Sequence, residues 1–128
     1  MKGIEVLFIA IGAIVGAVLR YRITEAPVVF SGLSVNILLV NIFGSFILGV
    51  FSIVAPLLNL NSNYTLFMSI GFCGSLTSMS SFALETCSLL DNKCLQLAVV
   101  NILATVFLSL GGLVAGRTLT DIIMKAVL

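Results

Sequence analysis

The chain contains no histidine and no tryptophan. Without histidine it lacks the usual general base near neutral pH and the commonest metal ligand. No nucleophile–base pair or metal-ligand cluster stands elsewhere in the sequence, so an enzyme is the least favoured class. Charge is scarce: 9% of residues are charged and the net charge is +1. Nothing in that balance points to nucleic acid. The three cysteines, Cys73, Cys87 and Cys94, are odd in number and lack metal or disulfide spacing. They read as small apolar residues in a reduced or lipid setting. What abounds is apolar: 60% of the 128 residues are hydrophobic, against about 45–50% in soluble domains. A water-soluble fold of this length has too little interior to hide that surface, so the bilayer is the natural solvent. Lys2 followed by an apolar run superficially resembles a signal peptide. No cleavage site precedes soluble sequence and further apolar runs follow, so the run is read as a first span.

The expected fold is a single all-α transmembrane domain. Four spans are predicted, at about residues 4–20, 33–55 (ending before Pro56), 64–90 and 95–116. A spanning helix needs about 20 residues. The connections, Arg20–Gly32, Leu57–Asn63 and Asp91–Cys94, are short. Sequential helices should therefore run antiparallel, with both termini on one side. One side then carries Lys2, Arg117 and Lys125, and the other Arg20, Arg22 and Lys93. Orientation follows an excess of cations on one side, and here there is none. The simplest inference is insertion in both orientations, with opposite copies pairing about an axis in the membrane plane, an arrangement that inverted repeats achieve within one chain. Six charges are also compatible with no readable bias.

Small residues mark where helices should touch: Gly12 and Gly16 in the first span, Ser45 and Gly49 in the second, Gly112 and Gly116 in the fourth. Polar residues mark something else. Asn41 lies mid-span and must find partners or line water. Asn101, Thr105 and Ser109 recur every four residues and share one face of the fourth helix. Such a stripe is either interhelical glue or a track of neutral donors for a small ion. The third span is the strongest anomaly. Residues 71–82 read Gly-Phe-Cys-Gly-Ser-Leu-Thr-Ser-Met-Ser-Ser-Phe. Glycine weakens a helix and hydroxyl side chains bond back to its carbonyls, so a break is predicted near 74–78. A break frees carbonyls, which suit a hard cation such as Na⁺, and amides at the restarting helix, which suit an anion.

These segments resemble the Fluc (CrcB) fluoride channels. The first span, Gly12 to Tyr21 with its Arg20-Tyr21 ending, is similar to that family's glycine-rich opening. Val40 to Gly49 is similar to its asparagine-bearing helix, and Gly71 to Glu85 to its signature. The resemblance covers nearly the whole chain. It implies an antiparallel dual-topology homodimer that exports F⁻ passively and protects the cell, in a bacterial inner membrane. It implies two pores at the dimer interface and a structural Na⁺ on the dimer axis. Carried over by position, the fluoride pore would comprise Asn41, Ser78, Met79, Ser81, Phe82, Thr105 and Ser109. The carbonyls of Gly74 and Thr77 would hold the Na⁺, and Arg20 and Glu85 would be vestibule or structural residues. Three departures stand out. Met79 replaces a pore phenylalanine and offers no ring edge, Ser75 and Ser78 replace a glycine and a threonine, and Asn101 stands where some members have an aromatic or imidazole. Some members work as two unlike chains, so a homologous partner chain is a second possibility.

The main rival is a small dual-topology multidrug exporter. That chemistry needs a membrane-embedded carboxylate in the first span with aromatics around it. Here Glu5 stands at the very start of that span, Phe8 is its sole aromatic, and Glu85 lies beside the signature. A non-transporting assembly protein would account for the polar stripe, but not for the break.

Overall fold

The structure is a computed structural model that describes residues 1–128. Four helical stretches are long and apolar enough to cross a membrane. Helix α1 (Gly3–Thr24) starts where the Lys2 backbone N–H donates to Glu5 Oε2 at 2.9 Å. It stops where the Thr24 hydroxyl turns back onto the Arg20 carbonyl at 2.9 Å. A short antiparallel hairpin follows, β1 (Val29–Phe30) against β2 (Leu33–Ser34). Its turn places Ser31 and Gly32 at φ 52° and 88°, the left-handed pair that a tight hairpin needs. This ribbon was not expected from the sequence, and it takes Leu33 out of the second span. Asn36 staples it from below: its amide accepts from the Val28 N–H at 2.7 Å and donates to the Ile23 and Ala26 carbonyls at 2.7 and 3.0 Å.

Helix α2 (Asn36–Leu57) runs one residue past Pro56. Proline so near a C-terminus removes only one ladder bond. The third span is not one helix. It comprises α3 (Ser62–Thr65), a π-helical segment (Leu66–Cys73), the single turn α4 (Gly74–Leu76) and α5 (Met79–Asp91). π-helical turns are rare and concentrate at functional sites. Between α4 and α5 the chain is extended: Thr77 has ψ 154° and Ser78 has φ −149°. The interruption therefore falls at Thr77–Ser78, inside the predicted window. Helix α6 (Leu95–Val127) continues well past Gly116. At 1.5 Å per residue its 33 residues span roughly 50 Å, more than the bilayer's hydrocarbon core of about 30 Å. Its charged end, with Lys125 Nζ 2.8 Å from Asp121 Oδ2, therefore stands outside the hydrocarbon.

The glycines set the helix contacts. A Cβ at Gly12 would strike the Phe67 carbonyl and one at Gly16 the Phe72 carbonyl, so α1 lies directly on the π-helical segment. Gly116 meets the Phe46 carbonyl and Gly49 the Leu113 carbonyl in the same way, binding α2 to α6. Between these two pairs sits a small apolar core of Ile37, Val40 and Leu76, with Phe72 and Phe82 packed on it. Large apolar side chains such as Ile14, Val18, Phe107 and Val114 point outward, as a lipid-facing surface requires.

Candidate functional site

The break is held open by α2. Asn41 Oδ1 accepts from the Ser78 backbone N–H at 2.7 Å, and Asn41 Nδ2 donates to the Ser78 carbonyl at 3.4 Å. The Ser78 amide is thereby withdrawn from the helical ladder, and the Gly74 carbonyl loses the donor that an unbroken helix would supply. Ser78 then caps α5: its Oγ accepts from the Ser81 N–H at 3.0 Å and donates to Ser81 Oγ at 2.8 Å. On the α1 side, Arg20 Nη1 donates to the Thr77 carbonyl at 3.1 Å. The Thr77 hydroxyl donates to the Cys73 carbonyl at 2.9 Å. The hydroxyls of Thr77, Ser78 and Ser81 at the break are all engaged with protein groups.

The stripe on α6 divides in two. Asn101 is buried to 1% exposure, and its Nδ2 donates to Thr86 Oγ1 at 3.1 Å. Thr86 in turn donates to the Phe82 carbonyl at 2.8 Å. This chain ties α6 to α5 at Phe82. Thr105 Oγ1 and Ser109 Oγ, one and two turns further on, are buried and have no hydrogen-bond partner in the protein. A buried hydroxyl without a partner is costly and uncommon. Both line a cavity of ≈ 370 Å³, together with Asn41, Ser45, Thr77, Ser78, Met79 and Phe82.

Six residues expected in the pore thus meet at one cavity: Asn41, Ser78, Met79, Phe82, Thr105 and Ser109. Ser81 is not among its lining residues; its hydroxyl accepts from Ser78. Thr77 lines the cavity, whereas Gly74 is exposed outside it. Glu85 lies apart, at a pocket of ≈ 190 Å³ beneath the hairpin with Ser34 and Ser88. Arg20 braces the break through Thr77. Sequence reasoning missed Ser45 as a lining residue, although it stands one helical turn from Asn41. It also missed Thr86, whose partner lies on another helix. A larger opening of ≈ 770 Å³ near Glu5, Ser52, Ser62 and Thr65 holds no buried hydroxyl without a partner. The smaller cavity is the site because its polar groups converge in an otherwise apolar bundle.

Fold and site together define a multi-pass helical membrane protein with a polar cavity at a broken helix, the architecture of an ion pathway. The family described as "CrcB-like protein, Camphor Resistance (CrcB)" matches residues 7–117, and the chain belongs to it. It is 49% identical over 125 residues to a fluoride-specific ion channel FluC of Nitrosopumilus maritimus, covering 98% of this chain and 99% of that protein. It is 40% identical over 114 residues to the protein of that name from Methanococcus maripaludis, covering 88% and 93%. For the Methanocaldococcus jannaschii protein the figures are 39% over 121 residues, with 94% and 98% covered.

Proposed function

We propose that this chain is a passive, fluoride-selective ion channel of the cell membrane that lets F⁻ leave the cell. The observation that carries the reading is the pair of buried, partnerless hydroxyls of Thr105 and Ser109 at the cavity shared with Asn41 and Phe82. A small hard anion stripped of part of its water needs neutral donors that solvate it without trapping it. Two hydroxyls and the spare Asn41 N–H supply these. The Phe82 ring contributes the positive edge of its quadrupole. Met79 stands where a second ring would serve and is 74% exposed on the isolated chain.

The working unit in this reading is an antiparallel pair of copies, each completing the other's pathway. The even distribution of cations supports it, with three on each side. So do the exposed Met79 and Gly74 beside the break. A structural Na⁺ on the pair's axis, held by the Gly74 and Thr77 carbonyls of both copies, belongs to the same proposal. These donors fit a hard cation: Gly74's carbonyl has lost its helical donor, and Thr77's keeps a second lone pair beside its bond from Arg20. Bound there, Na⁺ would supply fixed positive charge between the two pathways. The resemblance implies a bacterial inner membrane, but the 49% identical relative is archaeal. The proposal is accordingly the cell membrane of a prokaryote.

The test is F⁻ efflux from liposomes that contain only this purified chain, followed with a fluoride electrode and with Cl⁻ as control. Selective F⁻ release supports a homomeric channel. No release from folded, dimeric protein refutes it and favours a pair of unlike chains. Replacing Na⁺ by a bulky organic cation should lower the thermal stability of the dimer; an unchanged melting curve removes the Na⁺.

A further inference from the structure

The β-hairpin between α1 and α2 presents three consecutive large apolar side chains outward. Val28, Val29 and Phe30 are 54%, 62% and 73% exposed, whereas Leu33 on the facing strand is 7% exposed. The presentation is built in. The turn residues hold φ > 0, β1 pairs with β2 in register, and Asn36 pins the base through three hydrogen bonds. A side chain at Gly32 would lie 3.4 Å from Leu97 Cδ1, so the tip rests on the start of α6. Val29 and Phe30 point to opposite faces of the ribbon and both stand free of the bundle.

We propose that this hairpin is a membrane anchor whose Val28–Phe30 edge is seated at the boundary between lipid headgroups and acyl chains. Three observations identify the occupant. The outer face of α1 is already apolar and exposed at Ile14, Val18 and Tyr21, and leads along the helix toward the ribbon. Val28 follows the last residue of α1, Thr24, closely in the chain, so the exposed edge stands at the end of that bilayer-facing helix. Tyr21 and Phe30 at that end are aromatic, and aromatic residues collect at membrane interfaces. Arg22 and Lys93 are exposed at the same end, among the exposed carboxylates of Glu25 and Asp91, with Arg22 only loosely paired to Glu25 at 3.8 Å. Apolar side chains flanked by cations are the composition that binds a headgroup surface. A soluble partner would have to compete with lipid for a strip that lies beside the ends of two membrane helices.

The absence of native tryptophan makes the test clean. Phe30→Trp in the full chain, reconstituted in liposomes, carries a single indole at the ribbon's edge. Its emission is followed against lipids brominated high on the acyl chains and against iodide in the buffer. The expected result is a blue-shifted spectrum that loses more intensity to the brominated lipid than to iodide. Greater loss to iodide would place the edge in water and overturn the proposal. Protection from both quenchers would mean that protein, such as a second copy, covers the edge, and overturns it equally. Should Phe30→Trp not assemble, Val29→Trp reports from the adjacent position with the same outcomes. Neither residue lines the ion cavity, so the result is independent of what the channel conducts.

Discussion

Replacing Asn41 by aspartate separates the two duties of this side chain. The carboxylate keeps an acceptor for the Ser78 N–H, now at 2.7 Å. It loses only the donor to the Ser78 carbonyl, whose 3.4 Å length marks a weak bond. With a charge placed at a 7%-exposed position and an oxygen set against the Ser78 carbonyl, the fold should lose on the order of 3 kcal/mol. The anion path should suffer as well. Asn41 lines the cavity of ≈ 370 Å³, and an ion at about 5 Å from the new charge sets the scale of the repulsion. At an effective dielectric of about 20 the repulsion is roughly 3 kcal/mol. At about 1.4 kcal/mol per decade, F⁻ occupancy falls by roughly two orders of magnitude. Efflux of F⁻ from liposomes measures the loss, and a melting curve in detergent measures the fold. Asn41→Ala is the counterpart. It adds no charge but strands the buried Ser78 N–H, which costs about 1–3 kcal/mol of stability. If folded Asn41→Asp protein still conducts at the parental rate, Asn41 does not face the anion and the placement of the pathway is wrong.

Four further outcomes follow from the same geometry. Thr105→Val and Ser109→Ala remove buried hydroxyls that have no protein partner, so each should leave the melting temperature unchanged or raise it while slowing F⁻ efflux; a fall in stability would mean that the hydroxyls are structural glue. Phe82→Ile should slow flux more than Met79→Leu, because only Phe82 offers an aromatic edge, and equal effects would defeat that ranking. Asn101→Ala and Thr86→Val break the same buried bond. Combined, they should cost less than their separate losses added, by about 0.5–3 kcal/mol in a double-mutant cycle, whereas strict additivity would deny the coupling. Gly16→Val places atoms on the Phe72 carbonyl, whereas Gly111 has nothing within 4 Å. Loss of folded protein is expected for the first, and a melting curve at or slightly above the parent's for Gly111→Ala.

Much of the molecule was legible because the bilayer constrains it so tightly. Apolar runs separated by short polar connections leave few alternatives to antiparallel helices. The break was legible from the density of glycine and hydroxyl residues between Gly71 and Phe82. The β-hairpin was not, since two-residue strands carry no periodicity and Leu33 is as apolar as the span it precedes. The extension of α6 beyond Gly116 was also missed. Hydropathy reports where lipid ends, and helix geometry continues as long as backbone bonds and pairs such as Asp121–Lys125 support it.

The sequence by itself determined that the chain lives in a membrane, crosses it with four helical stretches and interrupts the third. Composition and spacing carry that information, because an apolar solvent penalises every unmet backbone group. Only the tertiary structure decided which polar residues are spent on one another. Arg20 braces Thr77, Ser78 holds Ser81, and Asn101 is taken by Thr86. Thr105 and Ser109, on the same face of the same helix as Asn101, are left without partners at a cavity. Periodicity identifies a helix face, but a hydrogen bond requires a second group at about 3 Å from another helix, and that distance exists only once the bundle is packed.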